Sequence, residues 1–164
     1  MSNLLEESAI RLANSSDVAA IARVLRDAFF EYAPLYTDRG FAATVIADTE
    51  VIRRMSEGPV WVASFEATIV GTVSVVRKDD SLYLRGMAVS PNARGRRVGE
   101  RLLNEVEMHA KREGLRRLFL STTPFLDRAI YLYEKSGFRR TDEGPHDLFG
   151  TPLFTMEKII RKPT

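Results

Sequence analysis

Residues Leu82–Glu113 read LYLRGMAVSPNARGRRVGERLLNEVEMHAKRE, and the change of period inside this run decides the fold. Leu82–Val89 has the length and apolar content of a strand, and Pro91 and Asn92 break it. From Val98 to Glu113 the period becomes helical, with Val98, Leu102, Val106 and Ala110 on one face. Glu107 and Lys111 are spaced to pair along that helix, and Gly114 stands where its C-terminal cap belongs. The next apolar stretch, Leu115–Ser121, reads as a strand buried in a sheet with parallel pairing. Strand, break, helix and strand make a β-α-β unit.

Working outward from it, Ala9–Leu12 is a candidate first strand, and Ser15, Ser16 and Asp17 offer helix N-caps. Val18, Ile21, Leu25, Ala28, Phe29 and Tyr32 then recur at helical spacing, until Pro34 ends the run. A second helix is predicted over Ala43–Glu57, stopped by Gly58-Pro59. Val60–Phe65 and Thr68–Arg77, joined at Glu66-Ala67, read as an antiparallel hairpin. Gly71 marks a bulge or a close approach within it, and Asp79-Asp80 makes the following turn. Downstream, Leu126–Lys135 is helical and ends at Ser136-Gly137. Phe138 opens a last strand pair, whose final strand lies near Leu153–Lys158. The predicted order is β-α-α-β-β-β-α-β-α-β-β. This is an α/β fold with a mixed, mostly antiparallel central sheet and flanking helices. No repeat or linker interrupts residues 1–164, so one domain is expected.

Composition narrows the chemistry. The chain has no cysteine, which excludes a disulfide framework, a thiolate metal site and a cysteine nucleophile. His109 and His146 are isolated from other candidate ligands, so no metal is expected. The N-terminal Met1–Glu7 has acids where a signal peptide has bases, and no apolar run reaches membrane-spanning length. Cytoplasmic residence without membrane partners is therefore the expectation. The net charge of +2 is small, yet Arg94, Arg96, Arg97 and Arg101 cluster, with Arg116 and Arg117 close behind. A local cluster on a balanced chain suits a small polyanionic ligand better than a long nucleic acid. Arg94-Gly95-Arg96-Arg97-Val98-Gly99 opens a helix, where free amides and the positive end of the dipole favour an anion such as a pyrophosphate. A solvated helix start with glycines for packing is the other reading of these residues. Neither a P-loop nor a dinucleotide fingerprint is present.

The stretch Leu84–Leu103 resembles the central motif of the GNAT (Gcn5-related) acetyltransferases: an apolar strand ending in Val-x-Pro, then Q/R-x-x-G-x-G/A at a helix start. Ala129–Phe138, AIYLYEKSGF, is similar to that family's second signature, L-Y-E-K-x-G-F. Two departures stand out. Arg97 occupies the place of the first glycine, and the Asn that often precedes the second signature is absent.

The resemblance implies an acetyl-CoA-dependent N-acyltransferase with acetyl-CoA as co-substrate. It implies that Arg94, Gly95, Arg96, Arg97, Val98, Gly99 and Glu100 receive the pyrophosphate. Met87, Ala88 and Val89 would pair with the pantetheine arm where Leu82–Val89 and Leu115–Ser121 diverge. It implies Tyr133 as general acid toward the departing thiolate, and direct attack by a primary amine of a small molecule or peptide. No general base is assigned, although Glu31 is a candidate. The acceptor is expected between the aromatic Tyr32–Phe41 segment, with Phe30 beside it, and the Gly144–Gly150 loop. A homodimer through the late strands is compatible with the family. A non-catalytic CoA sensor, or a small nucleic-acid-binding domain using the Arg94–Arg101 cluster, are the competing functions.

Overall fold

The computed structural model describes residues 7–160. The reading of Met1–Glu6 and the two ends of the predicted domain lie outside the described residues. The elements are β1 (Ala9–Leu12), α1 (Val18–Phe29), α2 (Asp38–Thr44), α3 (Asp48–Glu57), β2 (Val60–Phe65), β3 (Thr68–Lys78), β4 (Ser81–Val89), α4 (Val98–Arg112), β5 (Arg117–Thr122), α5 (Asp127–Lys135), β6 (Arg139–Arg140), β7 (His146–Leu148) and β8 (Thr151–Ile159). The strands form one mixed sheet in the order β1-β2-β3-β4-β5-β8-β6, with β7 also on β8. Only β4 and β5 pair in parallel among the described residues. No helix among these residues is long and apolar enough to cross a membrane.

Two helices meet each face of the sheet, and strand alternation divides the apolar residues between them. Val60 and Val62 of β2 face α1 and α3, whereas Trp61, Ala63 and Phe65 face α4. On α1, Val18, Ile21, Ala22, Val24, Leu25 and Ala28 are buried, which is the stripe a helical period produces. Val98, Leu102, Val106 and Ala110 of α4 are likewise buried. Glu107 pairs with Lys111 at 3.7 Å and also with Lys158 at 3.0 Å.

Several expectations need local correction. Asp17 stands at the N-cap of α1 without a side-chain capping bond there, and the capping box closes the preceding 3-10 turn Ser15–Asp17: Asn14 Oδ1 accepts from Ser16 N at 2.9 Å, while Asp17 Oδ2 accepts from Asn14 N at 2.8 Å. Arg11 forks onto Asp17 at 2.7 and 2.9 Å, and that bond, chiefly, holds the Asp17 carboxyl below its ordinary range. Past Phe29 the helix tightens to a 3-10 turn over Phe30–Leu35, because Pro34 disfavours α geometry at the residue before it. The predicted second helix is two. Thr37 caps α2, then Val45–Ala47 leave helical geometry and send Ile46 into the α1 core before α3 starts. Strand β5 is buried on one face only, since Arg117, Phe119 and Ser121 stay half-exposed. Arg117 is held by Glu143 and Glu157 rather than by a ligand cluster.

Gly71 serves close approach, and a bulge sits beside it. Its partner in β2 is Ala63, the next pair is Ser64 with Ile69, and Val70 is the extra residue. A Cβ at Gly71 would lie 2.7 Å from Val98 Cγ1 and 3.1 Å from Leu102 Cδ1, so α4 rests directly on the backbone there. Gly71→Val is expected to push α4 off the sheet and cost about 1–3 kcal/mol. Urea denaturation would show this as a lower midpoint with unchanged slope.

Candidate active site

The parallel pairing of β4 with β5 covers only Ser81–Tyr83 against Arg117–Phe119, after which the strands part. On its other edge β4 follows β3 to the end, but the register slips: Ser74 faces Arg85 and Thr72 faces Ala88. The extra residue falls at Gly86-Met87, and Gly86 has φ +63. This bulge reverses the parity of the strand. Leu82 and Leu84 face the α4 side before it. Met87 and Val89 face that side after it, and Ala88 turns to the α1 core. From Leu84 onward, the edge of β4 toward β5 has no strand partner.

Two cavities occupy the wedge so opened. The larger, about 420 Å³, runs from Met87, Ala88 and Val89 to the start of α4 at Arg94, Gly95, Arg97, Val98 and Gly99. Phe29, Tyr32, Arg128, Tyr131 and Leu132 close its sides. The smaller, about 200 Å³, lies between Tyr83–Met87 on β4 and Leu120–Thr123 at the end of β5. Tyr36, Thr44, Arg54, Leu148 and Leu153 complete it. Phe29, Met87, Leu126 and Tyr133 line both, so the two cavities meet there. No Asp or Glu lines either cavity among the described residues, whereas Arg54, Arg85, Arg94, Arg97 and Arg128 do.

Of the sequence-predicted site residues, the structure brings Met87, Ala88, Val89, Arg94, Gly95, Arg97, Val98, Gly99 and Tyr133 to the larger cavity. Arg96 and Glu100 do not join them by side chain. The Arg96 guanidinium stacks 3.7 Å above the Phe65 ring, and Glu100 holds Lys135 at 2.7 Å and Arg97 at 3.0 Å. Arg101 reaches back to Ser8 Oγ at 3.0 Å. The two glycines of the motif differ in role. Gly95 faces open space, whereas a Cβ on Gly99 would lie 2.6 Å from Leu132 Cδ2, so Gly99 lets α5 pack on α4. Glu31 pairs with Arg94 and lines neither cavity. Phe30 is 72% exposed and stands apart.

Tyr133 is buried on α5 beside Phe138, at 5.8 Å between ring centroids. Burial, with a smaller contribution from Tyr36, pushes its phenol above the ordinary value, so it stays protonated at neutral pH. The aromatic segment after α1 is pinned to the β7–β8 hairpin by Thr37. Its N–H donates to Thr151 Oγ1 at 3.0 Å and its hydroxyl to Phe149 O at 2.8 Å. That docking carries Tyr36 into the smaller cavity, where Tyr36 stacks edge-on against Phe125 at 4.9 Å. Arg54, Arg85 and Arg128 were not legible as site residues. They sit on separate elements, Arg54 and Arg85 on the smaller cavity and Arg128 on the larger, and no spacing in the sequence links them.

The profile of the Acetyltransferase (GNAT) family matches residues 19–138. This chain is a GNAT acetyltransferase. It is 31% identical over 149 residues to an N-acetyltransferase, YjgM, of Escherichia coli strain K12, covering 87% of this chain and 89% of that one. It is 36% identical to the IAA acetyltransferase of Azospirillum brasilense over 104 residues, or 62% of this chain and 65% of that protein. In fold it superimposes on the PaiA N-acetyltransferase of Thermoplasma acidophilum in complex with coenzyme A. The TM-score is 0.77 at 21% identity, over 94% of this chain and 99% of that one.

At the helix start of this GNAT chain, one residue conflicts with its own backbone. Arg97, the N-cap of α4, has φ 64 and ψ 18, the left-handed conformation that glycine adopts without strain. The structure thus supplies the physical reason for glycine in the family motif. The Arg97 side chain is 77% exposed, so its ion pair to Glu100 offsets little of the strain. Arg97→Gly is expected to raise stability by roughly 0.5–1 kcal/mol, whereas Arg97→Val lowers it. Thermal melts of the two variants without ligand check both signs.

Proposed function

We propose that this chain moves an acetyl group from acetyl-CoA to the primary amine of a small molecule or peptide, by direct attack in a ternary complex. The observation that carries the reading is the meeting of the two cavities at Tyr133 in the wedge between β4 and β5. The larger cavity has the attributes a CoA arm requires. It is long and mostly apolar, it is flanked by an unpaired strand edge at Met87–Val89, and it ends in arginines at a helix start.

In this reading Arg94, Gly95, Arg97, Val98 and Gly99 hold the pyrophosphate, with Arg128 opposite. Arg96 and Glu100 take part only through their backbone, since their side chains are engaged elsewhere. Bound acetyl-CoA supplies the activated acyl group as a thioester. The free backbone groups of Met87–Val89 align the arm and polarise the carbonyl, acting as fixed dipoles in a site that excludes water. The amine nitrogen bonds to the carbonyl carbon, the carbon–sulfur bond breaks, and Tyr133 gives its proton to the departing sulfur. The amine gives up a proton in turn. With no carboxylate on either wall, that proton leaves to water, and water returns a proton to Tyr133. The surrounding guanidiniums assist by disfavouring the ammonium form. Residues 1–164 act as one catalytic domain.

Acetyl-CoA at about 100 times its dissociation constant should add roughly 2.7 kcal/mol of stability. A rise of several degrees in melting temperature, absent with adenosine, would read this out. Tyr133→Phe should keep that rise while thiol release falls by about 10²–10⁴-fold. No rise with acetyl-CoA would overturn the reading. Undiminished turnover in Tyr133→Phe would remove Tyr133 from its role.

A further inference from the structure

The smaller cavity carries charge in excess of what deprotonating an amine requires. Arg54 reaches into it from α3, and Arg85 reaches into it from β4. Glycine at position 86 leaves space that Arg54 uses: a Cβ there would lie 2.7 Å from Arg54 Nη1, and the guanidinium would have to shift. The carboxylates outside the cavity leave the pair under-satisfied. Glu50 grips Arg53 with two bonds at 2.9 and 2.6 Å and meets Arg54 only at 3.8 Å. Glu57 takes one terminal nitrogen of Arg85.

Among the described residues, the buried side-chain polar atoms without a hydrogen-bond partner are Arg54 Nε, Arg85 Nε and Thr123 Oγ1. All of them belong to residues lining this cavity. A buried donor on a cation is costly to leave unpaired, and natural cores rarely do so outside functional sites. Arg54, Arg85 and Thr123 come from three different segments to line the volume that adjoins Tyr133. Its other walls combine apolar and aromatic side chains, including Phe29, Tyr36, Leu120 and Leu153, with Thr44, Ser121 and Thr122. At about 200 Å³ the cavity is smaller than the roughly 300–1,000 Å³ of drug-sized sites. It suits a molecule of amino-acid dimensions.

From this arrangement we infer that the acceptor is a small amine bearing a carboxylate, held by Arg54 and Arg85 with Thr123 while its apolar part packs on the aromatic wall. The inference rests on the transferase reading, because it takes the smaller cavity as the acceptor side. Arg54 and Arg85 are binding and specificity residues. The bond changes are those already given: nitrogen to acyl carbon forms, carbon to sulfur breaks, and the carboxylate is unchanged. The guanidinium forks match a carboxylate in geometry as well as charge.

The test compares acceptor pairs that differ only in the carboxylate, such as L-phenylalanine against phenethylamine and L-leucine against leucinamide. Thiol release from acetyl-CoA is the readout. The expected preference for the carboxylate member is at least tenfold in kcat/KM, expressed mainly in KM. Arg54→Met and Arg85→Met should each cut that preference by about tenfold or more, while the melting shift with acetyl-CoA persists. Arg85→Lys should restore part of it. Arg53→Met, which alters a residue outside the cavity, should leave it intact. Calorimetry with N-acetyl-phenylalanine and its methylamide supplies an arm independent of turnover, with tighter binding of the acid expected. Equal or better use of the uncharged amines, or equal binding of acid and amide, overturns the inference. If acetyl-CoA gives no melting shift and no amine releases thiol, the transferase reading fails, and the calorimetric arm still decides whether the cavity binds carboxylates.

Discussion

Hydrogen bonding between β4 and β5 stops at Tyr83 and Phe119, and its cause lies on the opposite edge of β4. There the strand keeps its antiparallel bonds to β3 only by admitting an extra residue at Gly86-Met87. A bulge bends its own strand and strengthens the local twist. A strand that follows β3 through the bulge to Val89 leaves β5 behind after Tyr83. The wedge follows, and with it the free edge of β4, the two cavities and their junction. The parity change matters as much as the bend. Without it Met87 and Val89 would face α1, and the wall of the larger cavity would be built from other side chains.

Glycine at position 86 meets two demands at once. The left-handed φ excludes most side chains, and the space above it is taken by the Arg54 guanidinium. A device that opens the site is therefore also the device that admits a cation into it. Burial, followed by the charge of Arg85, pulls the Arg54 pKa below its ordinary value, which is the signature of a guanidinium held away from both water and a close carboxylate.

The elements were legible wherever a period ran unbroken. The β2–β3 hairpin, β4, α4 and α5 fall within a residue or two of their expected bounds. Helix α2 was not legible, since its defining cap is Thr37 docked on Thr151, a contact between residues far apart in the chain. The helix-start half of the site was readable for a related reason. Arg94, Gly95, Arg97 and Gly99 form one contiguous motif, so spacing alone brings them together. The exceptions within that motif, Arg96 on Phe65 and Glu100 on Lys135, were decided by partners the motif does not contain.

The smaller cavity is the opposite case. Phe29, Tyr36, Arg54, Arg85, Thr123 and Leu148 come from α1, the turn after it, α3, β4, the end of β5 and β7. No spacing rule links them. The stretch matched to the family profile ends at residue 138, before Leu148 and Leu153, so part of this wall lies outside what the family description covers. The two halves of the site are thus specified differently. A short segment whose backbone must open a helix beside a bulged strand fixes the helix-start wall of the larger cavity. Side chains supplied singly by several elements fix what stands opposite, and each can change without disturbing the wedge. A fold built in this way keeps its wedge while the side chains around it vary, and in this chain that freedom has placed two half-buried arginines on the wall of the smaller cavity.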